Sequence, residues 1–346
     1  METRWQDALV ARARERLPAA VFRYFADGAG DGLTTAEAEA AWRAVRLAPR
    51  VLTDVSRVDL GTVVLGSAVS SPVAIAPSSL QRLAHPDGEL AMARAAAATG
   101  TLLCVPSNAG TLFAEIADTG ATWWLQLYVP EDRSLLEPIL ERAVAAGARA
   151  IAVTVDAAGT RVRADLDQAL DEKAAGYRLN HDDPDLLGPP GHAADLGPAD
   201  LARVAALSGL PVVVKGVSRV DDGRACVQAG AAAVWVSNHG GRQLDRTVAT
   251  AHSLGPIRKA LGDASVAVLV DGGVRSGLDA LTALALGADA VFVGRLALYG
   301  LAAGGEAGVV EVLERLRAEL ESALRRAGCD RPSAARGLVV DQGFGL

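Results

Sequence analysis

The chain has 346 residues, of which half are hydrophobic and 4% are aromatic, and its formal net charge at pH 7 is −7. This length is compatible with one large α/β barrel, and the acidic balance argues against nucleic acid as a partner. Three widely spaced cysteines without a CxxC pair, an N-terminus without the pattern of a signal peptide, and apolar runs shorter than the ~18–20 residues that span a bilayer predict a cytoplasmic protein without a membrane partner.

From about residue 73 one pattern repeats eight times: a short Val/Ile/Leu-rich run, a polar or glycine break, and an Ala-rich helical stretch. Continuous apolar runs indicate strands that are covered on both faces, and therefore parallel strands joined by helices. The prediction is an α/β protein of the (β/α)8 TIM-barrel class. A doubly wound sheet is the alternative, disfavoured because no glycine-rich fingerprint follows the first run. The predicted strands are Pro72–Pro77, Thr101–Ser107, Trp123–Tyr128, Ala150–Asp156, Pro211–Gly216, Ala233–Asn238, Val266–Gly273 and Ala290–Arg295.

The remaining segments complete a single predicted domain, 1–346. Residues 1–70 form a mainly helical N-terminal segment, 71–305 form the barrel core, and 306–346 form a closing helix and tail. Residues 157–200 make one overlong connection, rich in Gly, Pro and Asp, which is predicted to be a loop over the barrel mouth. Amphipathic helices are predicted at Asp87–Thr99, Arg133–Ala146 and Gly277–Leu286.

Polar side chains follow the apolar runs, and the carboxyl ends of barrel strands meet at one mouth. After the sixth run, His239 and Arg242 lie close together in a Ser-Asn-His-Gly-Gly-Arg sequence. An imidazole can move a proton near neutral pH, and a guanidinium can hold a carboxylate through two hydrogen bonds. This pattern is typical of an enzyme that acts on a small acid.

The last two runs end in sequences that suit a phosphate. Asp271–Arg275 and Val293–Arg295 each place glycine amides and an arginine at a predicted helix start. A tight turn would also use glycine, but both turns together with arginines favour a phosphate site, which TIM barrels commonly place after these strands.

Other residues have simpler alternatives. Lys215 ends an apolar strand and would be costly to bury without a partner, so a functional role is favoured. Asp156 is open to a helix-capping role, and Tyr24 to a packing role.

Several segments together resemble the FMN-dependent 2-hydroxy acid oxidases and dehydrogenases, such as glycolate oxidase, lactate oxidase, mandelate dehydrogenase and hydroxymandelate oxidase. The resemblance covers nearly the whole chain, and Ser-Asn-His-Gly-Gly-Arg-Gln-Leu-Asp and Asp-Gly-Gly-Val-Arg are its most specific motifs. The segments that carry it are 24–29, 76–89, 125–128, 154–156, 214–217, 237–245 and 271–275.

The resemblance implies a reaction and its catalytic residues. FMN would be the cofactor, a 2-hydroxy acid the substrate, and oxygen or another acceptor would take the electrons. His239 would remove a proton while two electrons pass to flavin N5, and Asp156 would stabilise the imidazolium. Lys215 would stabilise the reduced flavin, and Tyr128 would bond to the substrate. A homotetramer is also implied, and no metal is.

The binding residues follow from the same resemblance. Substrate-binding residues would be Tyr24, Asn108, Tyr128, Arg163 and Arg242. Cofactor-binding residues would be Ala76, Pro77, Ser78, Ser79, Ser107, Gln126, Thr154, Lys215, Ser237, Asp271, Gly272, Gly273, Arg275, Gly294 and Arg295.

The chain departs from the family pattern after Asp156. Relatives continue with Thr-Pro and then an arginine pair, whereas here Ala-Ala-Gly-Thr precedes Arg161 and Arg163, so either arginine is a candidate for the second carboxylate ligand. Asn108 replaces a bulky Trp of glycolate oxidases, and Ser79 stands where relatives have Ala or Gly. Two alternatives therefore stay open: a family member that oxidises an amine or a natural-product intermediate, and a flavin-binding barrel without turnover.

Overall fold

The N-terminal region consists of three helices followed by a β-hairpin. The structure is a computed structural model, which describes residues 4–157, 177–182, 192–262 and 266–340. The helical part was predicted; the hairpin is not evident from the sequence, because two three-residue strands are too short to show a period. Its turn uses positive φ at Leu65 (45°) and Gly66 (76°). The elements are α1 (Trp5–Arg16), α2 (Ala19–Ala26), α3 (Leu33–Ala44), β1 (Thr62–Val64) and β2 (Ser67–Val69).

Eight parallel strands close into a barrel in the order β10-β3-β4-β5-β6-β7-β8-β9. The (β/α)8 prediction is confirmed, and each strand lies within one predicted run except β7, which continues one residue beyond Gly216. Trp124, Trp235 and Phe292 fill the interior and pack with the β1–β2 hairpin, so the barrel is a solid core. The strands are β3 (Val73–Ile75), β4 (Leu103–Pro106), β5 (Trp123–Leu127), β6 (Ile151–Thr154), β7 (Val212–Val217), β8 (Ala233–Val236), β9 (Ala267–Val270) and β10 (Ala290–Val293).

Helices follow the strands and cover the outside of the barrel. The three predicted amphipathic helices are present, with one turn of 3-10 helix (Arg133–Leu135) preceding the second. The helices are α4 (Gly88–Thr99), α5 (Phe113–Ala117), α6 (Leu136–Ala145), α7 (Pro198–Ser208), α8 (Val220–Gln228), α9 (Thr250–Leu261), α10 (Gly277–Ala285) and α11 (Arg295–Arg326).

Helix α11 begins directly after β10, earlier than the predicted start at residue 306. Gly304 and Gly305 have non-helical backbone angles, so the helix bends between a first part at the barrel mouth and the predicted closing part. Helix α11 is long and apolar enough to cross a membrane, but 67% of its most apolar 18-residue stretch is buried inside the fold. Its apolar character is therefore explained by core packing.

The described parts of the predicted mouth loop pack against neighbouring strand ends. Asn180 accepts a hydrogen bond from the Phe113 amide and donates to the Thr111 carbonyl, which ties segment 177–182 to the turn after β4. His192 forms an isolated antiparallel bridge with Pro130. The last residues of the predicted loop belong instead to α7.

Candidate active site

A cavity opens at the carboxyl ends of the barrel strands, where the sequence placed the polar residues. It is lined on one side by α2 and on the other by the ends of β3, β5 to β7, β9 and β10, together with the turn after β8. Of the predicted site residues, those that line it are Tyr24, Ala76, Pro77, Ser78, Ser79, Gln126, Tyr128, Thr154, Lys215, His239, Arg242, Asp271, Gly272, Gly273, Arg275, Gly294 and Arg295.

Some predicted residues lie beside this cavity rather than on its wall. Asp156 and Ser237 support His239 and Lys215, as described below. Ser107 and Asn108 line a smaller neighbouring cavity together with Tyr128 and His181. Arg161 and Arg163 lie outside the described residues.

The structure also adds wall residues that the sequence did not single out. Phe25 and Gly240 directly follow Tyr24 and His239 in the sequence. Their position next to these predicted site residues could have indicated that they line the cavity. The others are apolar and look like ordinary core residues in the sequence: Val274, Phe292, Val293 and Leu298.

His239 and Asp156 form a hydrogen-bonded pair at the cavity. The Nδ1 atom of His239 lies 3.0 Å from Oδ1 of Asp156, and each side chain is 16% exposed. The backbone at His239 has a φ of 57°, an unfavourable value for a residue with a Cβ, and its amide donates to Ser237 Oγ at 3.1 Å. A proton on Nδ1 facing the carboxylate makes Nε2 the basic nitrogen, which is the arrangement of an oriented general base.

The charge state of Asp156 follows from its surroundings. Burial would raise the pKa of this carboxyl, but the charge and hydrogen bond of His239, together with Lys215, lower it below its ordinary value of 3.8. Asp156 is therefore a carboxylate at neutral pH and can stabilise an imidazolium.

This pKa shift predicts how stability depends on pH. Because the folded pKa of Asp156 is depressed, its contribution to stability is present above the unfolded pKa and is lost as pH falls through the folded pKa. We expect the free energy of unfolding of the native protein to exceed that of Asp156→Asn at pH 6, and the difference to shrink progressively below pH ~4. Urea unfolding from pH 6 to 3 measures it; a difference that stays constant with pH would contradict the pairing.

Lys215 lies in a buried polar network below His239. Its Nζ atom donates to Ser237 Oγ at 2.9 Å and lies 3.2 Å from Oδ2 of Asp271, while Ser237 Oγ donates to Oδ1 of the same carboxylate at 2.6 Å. The ammonium also lies 5.3 Å from the ring centre of Trp235. Burial would lower the pKa of Lys215, but Asp271 and then Asp156 raise it, so the cation is retained inside the protein.

Tyr128 is held by ring stacking. Its ring lies 4.1 Å from that of His192, with 13° between the planes, and His192 Nδ1 lies 3.0 Å from the Ala157 carbonyl. Two histidines from the long connection, His181 and His192, therefore lie beside the site. No pattern in the sequence indicated this position.

Three arginines give the opposite side of the cavity a positive potential. Burial, and then the charges of Arg242 and Arg275, lower the pKa of Arg295 to about 10, so Arg295 remains a cation at neutral pH. The Nε atom of Arg275 lies 3.0 Å from Oε1 of Glu39. Helices α10 and α11 begin beside these arginines, so their amides and dipoles add to an anion site.

These features define the class of the protein: a (β/α)8-barrel enzyme with a base, a buried cation and an anion site around one cavity. The chain matches the model of a family described as FMN-dependent dehydrogenase over residues 13–341. It therefore belongs to the FMN-dependent dehydrogenase family, and its cofactor is FMN.

Curated relatives and solved structures agree with this assignment. The chain is 41% identical to glycolate oxidase 3 of Arabidopsis thaliana, over 92% of this chain and 90% of that protein. It is 40% identical to an L-lactate oxidase of Nostoc sp., over 92% and 93% of the two chains. A lactate oxidase structure from Pediococcus acidilactici superposes with a TM-score of 0.91 at 34% identity, covering 98% and 95%. A mandelate oxidase variant with 3,3,3-trifluoro-2,2-dihydroxypropanoic acid gives 0.88 at 38%, covering 96% of each.

The residues present fit FMN. A Cβ built at Gly294 would lie 3.9 Å from both Ala76 Cβ and Ser78 Oγ, so the glycine leaves space between the two strand ends. The arginine-lined helix starts suit a phosphate, and the buried Lys215 ammonium suits an electron-rich ring. Ser78, Gln126 and Thr154 supply neutral hydrogen-bonding groups between these charged ends.

Proposed function

We propose that this protein oxidises a 2-hydroxy acid to the corresponding 2-oxo acid. The observation that carries the proposal is the His239–Asp156 pair, because its imidazole lines the same cavity as Arg242 and the residues that fit FMN. Similarity to glycolate, lactate and mandelate oxidases supports a substrate of this class. The oriented base counts against a flavin-binding barrel without turnover, and the relatives support an acid rather than an amine.

Each side chain has a chemical task in this reaction. Arg242 binds the substrate carboxylate, and Tyr128 donates a hydrogen bond to the substrate. His239 takes a proton at Nε2, and Asp156 stabilises the resulting imidazolium. Lys215 holds positive charge beside the cofactor site. FMN, when bound, supplies the acceptor for the two electrons.

Product analysis tests the proposed function. The purified protein is incubated in air with glycolate, lactate, mandelate and longer 2-hydroxy acids, and 2-oxo acids are trapped as hydrazones. We expect at least one 2-hydroxy acid to give its 2-oxo acid with matching oxygen consumption. Turnover of amino acids alone would contradict the proposal.

The carboxylate ligand is tested with Arg242→Lys. The guanidinium lies 4.9 Å from the ring centre of Tyr24, and its Nη1 donates to the Tyr24 carbonyl at 2.5 Å, so its plane is fixed in the cavity. A point charge cannot supply two parallel hydrogen bonds, so we expect KM to rise ~10–100-fold. Arg246→Lys, at a side chain that is 76% exposed, is the matched control. An unchanged KM in Arg242→Lys would remove Arg242 from the substrate site.

We further propose oxygen as the electron acceptor, a homotetramer as the assembly and the cytoplasm as the location. The names of the oxidase relatives support oxygen, and the free cysteines Cys104, Cys226 and Cys329 are compatible with a reducing compartment. Oxygen uptake, mass in solution and cell fractionation check these statements.

A further inference from the structure

The carboxylate of Asp245 caps the start of helix α3. Its Oδ1 accepts a hydrogen bond from the Thr34 amide at 2.9 Å, and its Oδ2 accepts from the Asp31 amide at 2.9 Å and the Leu33 amide at 3.3 Å. The first amides of a helix have no partners within the helix and carry partial positive charge, so a carboxylate stabilises them. The residue at the capping position itself, Gly32, has no side chain for this task. The cap comes instead from a segment 211 residues beyond Thr34.

The charge of Asp245 is fixed by these hydrogen bonds. They hold the pKa of this carboxyl well below its ordinary value of 3.8, and the bond from the Thr34 amide is the largest cause. Asp245 is therefore ionised at neutral pH, and both of its oxygens act as acceptors.

Asp245 belongs to the turn that carries the base and the carboxylate ligand. We call residues 237–247, which follow β8 and include His239 and Arg242, the base turn. Further hydrogen bonds join the base turn to the segment around the start of α3. They run from the Thr247 amide to Thr34 Oγ1 at 3.0 Å, from the Ala29 amide to the Gly241 carbonyl at 2.7 Å, and from Thr35 Oγ1 to the Gly240 carbonyl at 3.2 Å.

The two segments are also packed with their backbones in direct contact. A Cβ built at Gly30 would lie 3.0 Å from both Cβ and Oδ2 of Asp245, and one built at Gly241 would lie 2.5 Å from Thr35 Oγ1. Glycine is needed at both positions because no larger residue fits without moving one segment away from the other.

The backbone of the base turn needs such support. His239 has a φ of 57° and Arg246 a φ of 64°, which are unfavourable values for residues with a Cβ. A strained conformation of this kind persists only when the surrounding structure fixes it. The anchored start of α3 is part of that surrounding structure.

Helix α3 also reaches the glycine–arginine turn after β9. Trp42 Nε1 donates to the Gly272 carbonyl at 2.7 Å, and a Cβ built at Gly273 would lie 2.6 Å from the Ala38 carbonyl oxygen. The later turns of α3 are therefore fixed against the anion side of the cavity, while Asp245 fixes its first turn against the base turn.

We propose that Asp245 is a positioning residue: by fixing α3 to the base turn, its carboxylate sets the positions of His239 and Arg242 in the cavity. The effect on substrate rests on the proposed function, whereas the effect on the base turn does not.

The test compares Asp245→Ala and Asp245→Asn with Asp54→Ala, all with FMN bound. Asp54 is the matched control, because its carboxylate also accepts a backbone amide, that of Ser56 at 2.9 Å, at an exposed position away from the cavity wall. Asp245→Asn keeps one acceptor oxygen, and it supplies every measurement if Asp245→Ala does not fold.

The first measurement is hydrogen–deuterium exchange read by mass spectrometry, without substrate. In Asp245→Ala we expect exchange at least about threefold faster than native at residues 31–34 and also at residues 238–242, since the lost anchor lets both segments open. Asp245→Asn should show a smaller increase in the same two segments. Asp54→Ala should leave both at the native rate.

The second measurement is the maximal rate of anaerobic flavin reduction divided by the half-saturating concentration of a 2-hydroxy acid. Misplacement of the base and the carboxylate ligand should lower this ratio about 10–100-fold in Asp245→Ala, less in Asp245→Asn and not at all in Asp54→Ala. The ratio is measured where circular dichroism shows every variant to be folded, so a loss of stability alone does not change it.

Faster exchange confined to residues 31–34 would overturn the inference, because Asp245 would then only cap α3. A native reduction ratio in both Asp245 variants would also overturn it. If no 2-hydroxy acid reduces the flavin of the native protein, the proposed function fails, but the exchange measurement still decides whether Asp245 fixes the base turn.

Discussion

Replacing His239 with alanine is expected to slow flavin reduction by a 2-hydroxy acid about 10³-fold, with FMN still bound. The variant removes the Nε2 base and leaves Asp156 without its 3.0 Å partner. Other strand ends and the starts of α10 and α11 would hold the cofactor, so we expect its affinity to change little. Stopped-flow absorbance under anaerobic conditions measures the rate, and the yellow colour of the purified variant reports the cofactor.

His252→Ala is the control for this experiment, because His252 is exposed on α9, away from the cavity wall. It should reduce flavin at the native rate. A colourless His239→Ala protein would show instead that the imidazole serves folding or cofactor binding. A rate within tenfold of native would remove His239 as the base.

Replacing Lys215 with methionine is expected to lower the free energy of unfolding by about 3–5 kcal/mol. The substitution removes the cation 3.2 Å from Asp271 and leaves a carboxylate that is itself 9% exposed without its charge partner. Ser237 still donates to this carboxylate, but one neutral hydrogen bond does not replace an ammonium. Urea denaturation of the cofactor-free protein measures the change without any effect of lost FMN binding.

Two further variants make the stability measurement specific. Lys259→Met, at an exposed position of α9, should change the free energy of unfolding by less than ~0.5 kcal/mol. Adding Asp271→Asn to Lys215→Met should recover part of the lost free energy of unfolding, because both charges of the buried ion pair are then removed. If Lys215→Met has the free energy of unfolding of the native protein, the negative charge of Asp271 is compensated by another group.

The barrel and most of the cavity wall could be predicted from the sequence for a physical reason. Strands covered on both faces must be apolar throughout, so eight continuous runs mark eight parallel strands. Closure of the barrel then brings their carboxyl ends together, whatever their distance in sequence. The proximity of Asp156, Lys215 and His239 in the fold follows from these two facts.

Other features depend on contacts that no local pattern records. The β1–β2 hairpin has three-residue strands, and its identity becomes clear only from its packing against Trp124 and Trp235. His192 stacks on Tyr128, but it belongs to the long connection, whose sequence has no helical or strand period from which this contact could be predicted.

We propose that His239 and the bound flavin act together on a 2-hydroxy acid at this cavity. Anaerobic mixing of the yellow protein with a panel of 2-hydroxy acids, with the matching 2-amino acids as comparison, tests it most directly. We expect at least one 2-hydroxy acid to bleach the visible flavin absorbance, and the absorbance to return when oxygen is admitted. Absorbance that stays unchanged with every 2-hydroxy acid, or is bleached by amino acids alone, would contradict it.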